Sequence, residues 1–107
     1  MSKKTQKPYF QDAVSEILAD VGDLLIRKQI DYGPHALKRF GLQGIIVRLN
    51  DKMERLINLT QFQATPEVDE SIEDTLADMI GYATLGLIMQ KYGFPLPLKQ
   101  KDPTNTP

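Results

Sequence analysis

Apolar residues recur at helical spacing in three separate stretches of this chain. From about Phe10 to Gln29, the residues Val14, Ile17, Leu18, Val21, Leu24 and Leu25 fall at i, i+3, i+4 and i+7, one side of a helix. From about Gly44 to Thr60, a second stripe consists of Ile46, Leu49, Met53, Leu56 and Ile57. A third stretch runs to Lys91, with Asp69 or Ser71 as N-cap and with Gly93 and Pro95 as stop signals. Pro34 suits a first helical position, so a short helical turn is expected over Pro34–Phe40. The connections predicted between these elements are Asp31-Tyr32-Gly33, Gly41-Leu42-Gln43 and Phe62–Val68. No stretch alternates with period two for long enough to form a strand. The pattern predicts an all-α fold: a bundle of three main helices plus a short one.

The third helix differs from the other two. Advancing about 100° per residue from Leu76, an apolar face forms from Ile72, Leu76, Met79, Ile80, Ala83 and Leu87. Tyr82, Leu85 and Met89 fall on the opposite side, so the carboxy-terminal half is apolar nearly all round. Such a helix is buried on two sides. In a chain of 107 residues the second covering surface is most simply another copy, so the bundle is expected to be completed by homo-oligomerisation, as a dimer or tetramer. The competing reading has the first helix and the tail cover both faces within one subunit.

Composition narrows the class. The length allows one domain with one core, expected over residues 1–93. The remainder, 94–107, holds four of the seven prolines and is expected to be an extended or mobile tail. The chain has no cysteine, which excludes disulfide scaffolds, thiolate metal sites and thiol nucleophiles. Its single histidine, His35, excludes a His-rich metal site, argues against a Ser-His-Asp triad and is expected to be structural. The net charge of −1 gives no global pull toward nucleic acid or an anionic membrane. The basic start Met1–Lys7 leads into no apolar signal segment, and no apolar run approaches the roughly 20 residues of a membrane span. A cytoplasmic protein is expected. The seven glycines never cluster as a phosphate-binding loop requires.

Candidate chemistry sits on the acidic edges. Glu70, Asp74 and Asp78 follow at i, i+4, i+8 along one side of the third helix, running into the apolar patch of Leu85 and Met89. Like charges in a row repel, and a hard cation held by carboxylate oxygens would relieve them; Mg²⁺ is the simplest choice, with Mn²⁺ as an alternative. Asp51 and Glu54 on the second helix offer further oxygens, and the interleaved Arg48, Lys52 and Arg55 suit phosphate charge. The plainer reading is a solvated helix face, with Glu70 and Glu73 complementing the helix dipole. Asp74 and Asp78 are placed too far along the helix for that explanation.

Several short blocks, in order, carry a resemblance. Asp31-Tyr32-Gly33, Phe40-Gly41-Leu42, the run from Arg48 to Leu56 and the run from Glu70 to Tyr82 are similar to the phage-associated nucleotide-modification-associated domain family. That family is grouped by its pattern with the all-α, MazG-like nucleoside triphosphate pyrophosphohydrolases. The resemblance covers about Lys28 to Lys91. It implies a helical bundle completed by dimerisation or tetramerisation, with acidic pairs on two helices holding Mg²⁺ against a triphosphate. Asp51-x-x-Glu54 matches the first pair; the second reads Asp74-x-x-x-Asp78, with Thr75 at the position where the family pattern has a carboxylate. The resemblance also places Lys28, Asp31 and Tyr32 where they would face a base or sugar, although a helix end with Lys28 complementing the dipole explains them equally. Tyr82 would stack on a base or fill an oligomer interface.

The function these readings imply is Mg²⁺-dependent hydrolysis of a nucleoside triphosphate to monophosphate and pyrophosphate, in host cytoplasm if the chain is phage-encoded. Asp51, Glu54, Asp74 and Asp78 would hold the metal, Glu54 or Glu70 would act as general base, and Lys52 and Arg55 would stabilise the leaving pyrophosphate. One alternative is a non-catalytic helical protein that binds a nucleotide or a host protein. Another is a small DNA-binding regulator, with Pro34–Phe40, a turn at Gly41–Gln43 and the following helix drawn as a helix-turn-helix. Asp51 and Glu54 among its basic contacts argue against the DNA reading.

Overall fold

The computed structural model describes residues 6–32, 41–61 and 71–99, and all the regular structure among them is helical. Helix α1 spans Phe10–Tyr32, α2 spans Gly41–Thr60 and α3 spans Ile72–Tyr92. Three expected helices are present, each longer than its apolar stripe. The expected helical turn at 34–40, His35 within it, and the whole of the connection at 62–68 lie outside the described residues.

The described parts of two expected connections are helix. Asp31 and Tyr32 form the last turn of α1, and Gly41-Leu42-Gln43 form the first turn of α2. Tertiary packing accounts for the second. A Cβ built on Gly86 of α3 would lie 3.6 Å from Leu42 Cδ1 and 3.9 Å from Ile45 Cγ2, so Leu42 closes over the same glycine as Ile45 and draws the helix start back. The helix is entered through Gly41 at a φ of 57°, a left-handed conformation that side-chain-bearing residues rarely adopt.

At the start of α3, Ser71 is the N-cap. Its Oγ accepts from the Asp74 backbone N–H at 3.0 Å, and Asp74 Oδ2 accepts from the Ser71 backbone N–H at 3.2 Å, forming a reciprocal capping box. Asp74 therefore lies in the first helical turn, nearer the positive end of the dipole than its place in the acidic stripe implied. At the other end, Gly93 adopts a φ of 86° and donates its N–H to the carbonyls of Ile88 and Met89.

α3 is the central element. α2 packs along it, while α1 packs against α3 but not against α2. Among the described residues the buried apolar side chains are Ile45 and Leu85, and Thr75, Gly81 and Gly86 of α3 are buried as well. The Thr75 hydroxyl, fully buried, donates to the Ser71 carbonyl at 2.9 Å. The second helix is turned from its expected orientation: Ile46 and Met53 are about half exposed, and Ile45 takes the covered position. On α3 the covered side is the Leu85 side. The face of Ile72, Leu76, Ala83 and Leu87 stands open, with Leu87 71% exposed. The Cα radius of gyration is 17.0 Å, against about 13 Å for a compact chain of this size. Among the described residues no helix is long and apolar enough to cross a membrane.

Candidate functional site

Asp78 lies one turn beyond the capping box, on the α3 side that meets both other helices. Lys28 Nζ of α1 approaches Asp78 Oδ1 at 3.3 Å, and Lys52 Nζ of α2 approaches Oδ2 at 3.1 Å. One carboxylate therefore ties three helices, although α1 and α2 do not pack on each other. Burial works to raise the Asp78 carboxyl; hydrogen bonding and charge from Lys52 and Lys28 more than offset it and hold the group below the usual Asp value.

A groove of about 390 Å³ opens beside this junction, between α1 and α3. Val21, Leu24, Leu25, Ala77, Gly81 and Leu85 give it an apolar floor. Lys28, Arg48 and Asp78 supply charge, Gln29 an amide and Tyr82 an aromatic ring. A Cβ on Gly81 would sit 3.8 Å from Leu25 Cδ1, so the small residue allows α1 to approach closely at the floor. The arrangement combines an apolar slot with an aromatic edge and a rim of cations. This chemistry suits a flat heteroaromatic group carrying negative charge.

Of the residues singled out from the sequence, five are brought together: Lys28, Arg48, Lys52, Asp78 and Tyr82. Asp31 is exposed at the end of α1, and Tyr32 is the last residue of that helix. Asp51 and Glu54 are exposed on α2, and Arg55 is half-buried on the same helix. Asp74 closes the capping box, and Glu70 lies outside the described residues. The groove also uses residues not singled out beforehand as site residues, chiefly Gln29, Leu25 and Gly81. Their signal was their register: Leu25 and Gln29 are one turn apart on α1, as are Ala77, Gly81 and Leu85 on α3.

Asp74 and Asp78, two of the residues expected to hold Mg²⁺, make contacts within the chain. Both Asp78 oxygens already meet lysine ammonium groups, and the Asp74 carboxylate accepts from the Ser71 backbone. Among the described residues no three acidic or histidine side chains gather into a group able to hold a metal. The charge repulsion expected at Asp78 is relieved by cations of the chain itself. Lys52, read from the sequence as suited to phosphate charge, faces α3 in the fold and provides part of this relief.

Neither the curated proteins nor the solved structures contain a match to this chain. A family model does match, across residues 28–89, which is more than half of the sequence and includes Lys28, Arg48, Lys52, Asp78, Tyr82 and the α2–α3 pairing. By that match the chain belongs to the family described as nucleotide modification associated domain 1.

Proposed function

We propose that the chain binds a nucleotide in the groove between α1 and α3, with the phosphates against Lys28, Arg48 and Lys52 and the base beside Tyr82. The observation that carries this reading is the meeting of two lysines and an arginine, from two helices, at the mouth of an apolar slot with an aromatic edge. Membership of a family described by nucleotide modification supports it. Lys28 and Lys52 are positioned by Asp78 before any ligand arrives, which reduces the ordering cost of binding an anion. The test is calorimetric titration with each deoxynucleoside triphosphate in the presence of a chelator. Micromolar binding that weakens at least tenfold in Lys28→Ala is expected, whereas equal affinity in the variant and the parent overturns the assignment.

A reaction is the second reading, and the pairing of α2 with α3 favours it. Asp51 and Glu54 on one helix and Asp74 and Asp78 on its neighbour occupy the two elements that a MazG-like pyrophosphohydrolase would use. In that reading, attack falls on the α-phosphorus, and Lys52 and Arg55 carry charge on the departing pyrophosphate. Incubation with a panel of canonical and modified triphosphates plus Mg²⁺, followed by chromatography, is expected to yield monophosphate and pyrophosphate. Orthophosphate as first product, or unchanged triphosphate throughout the panel, rejects the reaction while leaving the binding reading to its own test. We further place this activity in the cytoplasm, where nucleoside triphosphates are held, and in a homo-oligomer, because the described chain covers so little of its own apolar surface.

A further inference from the structure

Gly81 sits in the middle of α3, is buried, and lines the floor of the groove. Apart from proline, glycine is the poorest helix former, so its presence inside a helix costs stability. Backbone conformation does not require it here. The positive-φ glycines among the described residues are Gly41 and Gly93, and the Gly81 backbone is ordinary helix. Crowding does not require it either. A Cβ built on Gly81 would meet one atom within 4 Å, Leu25 Cδ1 at 3.8 Å, an ordinary contact with the end of a flexible side chain.

Gly86, on the same helix, supplies the contrast. A Cβ on Gly86 would meet both Leu42 and Ile45, so the space beside that glycine is filled by α2. The space beside Gly81 is groove. The cationic junction is close to it: Asp78, where Lys28 and Lys52 meet, lies three residues earlier, about 4.5 Å along the helix and on the same side. Ala77, one turn before Gly81, also lines the floor, and Leu85 follows one turn after. The α3 wall therefore carries its smallest side chains next to the cations. Bare helix backbone at that point lets a flat ligand group come close to α3. We infer that Gly81 makes room for the base of the bound nucleotide, so that the groove selects phosphate ligands carrying a base over bare polyphosphate. The inference rests on the nucleotide reading above and adds a specificity position to it. A methyl group at this position would enter space that the protein leaves open and the base would fill. The base could not avoid it without drawing the phosphates away from Lys28 and Lys52.

Gly81→Ala leaves Lys28, Arg48 and Lys52 in place and so separates the base from the phosphates. Parent and variant are titrated calorimetrically, in the presence of a chelator, with each deoxynucleoside triphosphate and with inorganic tripolyphosphate. The parent is expected to bind at least one deoxynucleoside triphosphate more tightly than tripolyphosphate. In the variant that affinity should fall by about tenfold or more, while tripolyphosphate affinity is unchanged and the thermal midpoint is equal to or above that of the parent. Equal nucleotide affinity in variant and parent would overturn the role of Gly81 and leave nucleotide binding standing. Parallel loss of both probes, or a variant that melts lower, would assign the glycine to the fold instead of the ligand and overturn the inference equally. A parent that binds both probes alike would remove the base slot, and one that binds no nucleotide would overturn the nucleotide reading itself.

Discussion

Replacing Asp78 by asparagine removes a carboxylate that meets both Lys28 and Lys52 and leaves two ammonium groups facing each other. Exposed ion pairs are worth roughly 0.2–1 kcal/mol each, so Asp78→Asn should lower stability by about 1 kcal/mol in urea titration at pH 7. The pH dependence follows from the lowered Asp78 value. The unfolded chain holds the Asp78 proton up to the ordinary range near about pH 3.9, whereas the folded chain releases it at lower pH. The contribution is therefore complete above that range and is lost as pH falls through the lowered value. The gap between parent and variant should narrow from pH 7 toward pH 3; a gap that widens on acidification would contradict the pairing. Ser71 offers an independent check at the same scale. Ser71→Ala opens the capping box and should cost about 1 kcal/mol, without altering nucleotide affinity at the distant groove.

Gly86 of α3 meets Leu42 and Ile45 where α2 packs on α3, so these positions are individually informative. Gly86 is buried in mid-helix, and a Cβ there would meet Leu42 and Ile45 at ordinary contact distances. Gly86→Ala should therefore stabilise the protein by about 0.5–1 kcal/mol, through helix propensity and without a clash. A lower thermal midpoint for that variant would show that the helices sit closer than described. Ile45 is 1% exposed and opposes this glycine. Ile45→Ala should cost about 2–5 kcal/mol, enough to unfold much of a domain with so small a core, whereas Val47→Ala on the open side should cost under about 0.5 kcal/mol. Circular dichroism melts of the two variants separate these outcomes.

For the whole molecule, the proposed nucleotide binding and the proposed assembly would each add to stability by mass action. A nucleotide at about 100 times its Kd should raise stability by about 2.7 kcal/mol, and the rise should shrink in Arg48→Ala because the groove loses a cation. Assembly through the exposed apolar surface would make the melting temperature rise with protein concentration. That slope should vanish in Ile17→Asp, which places a carboxylate on the exposed amino-terminal half of α1 and is tolerated in a monomer because Ile17 is uncovered there. A slope unchanged in the variant would place the assembly surface elsewhere.

The three main helices and the two ends of α3 were legible because they depend on local chemistry: the apolar period, the Ser71 cap and the Gly93 stop all act within a few residues of where they are read. The family blocks were legible for the same reason, as short runs in a set order. What the sequence could not decide was which helix side turns inward. α2 has apolar residues over a broad arc, and packing against Gly86 selected Ile45 over Ile46. α3 is apolar nearly all round, so its pattern marks no inward side, and only the placement of α2 and α1 chose Leu85 over Leu76. The roles within the acidic stripe were undecided for the same reason. Glu70, Asp74 and Asp78 are equivalent by spacing, yet a helix start at Ile72 makes Asp74 part of a cap, and the approach of Lys28 and Lys52 makes Asp78 the centre of an ion-pair junction. Periodicity is a property of one helix, while neutralisation and burial are properties of the neighbours that tertiary structure supplies.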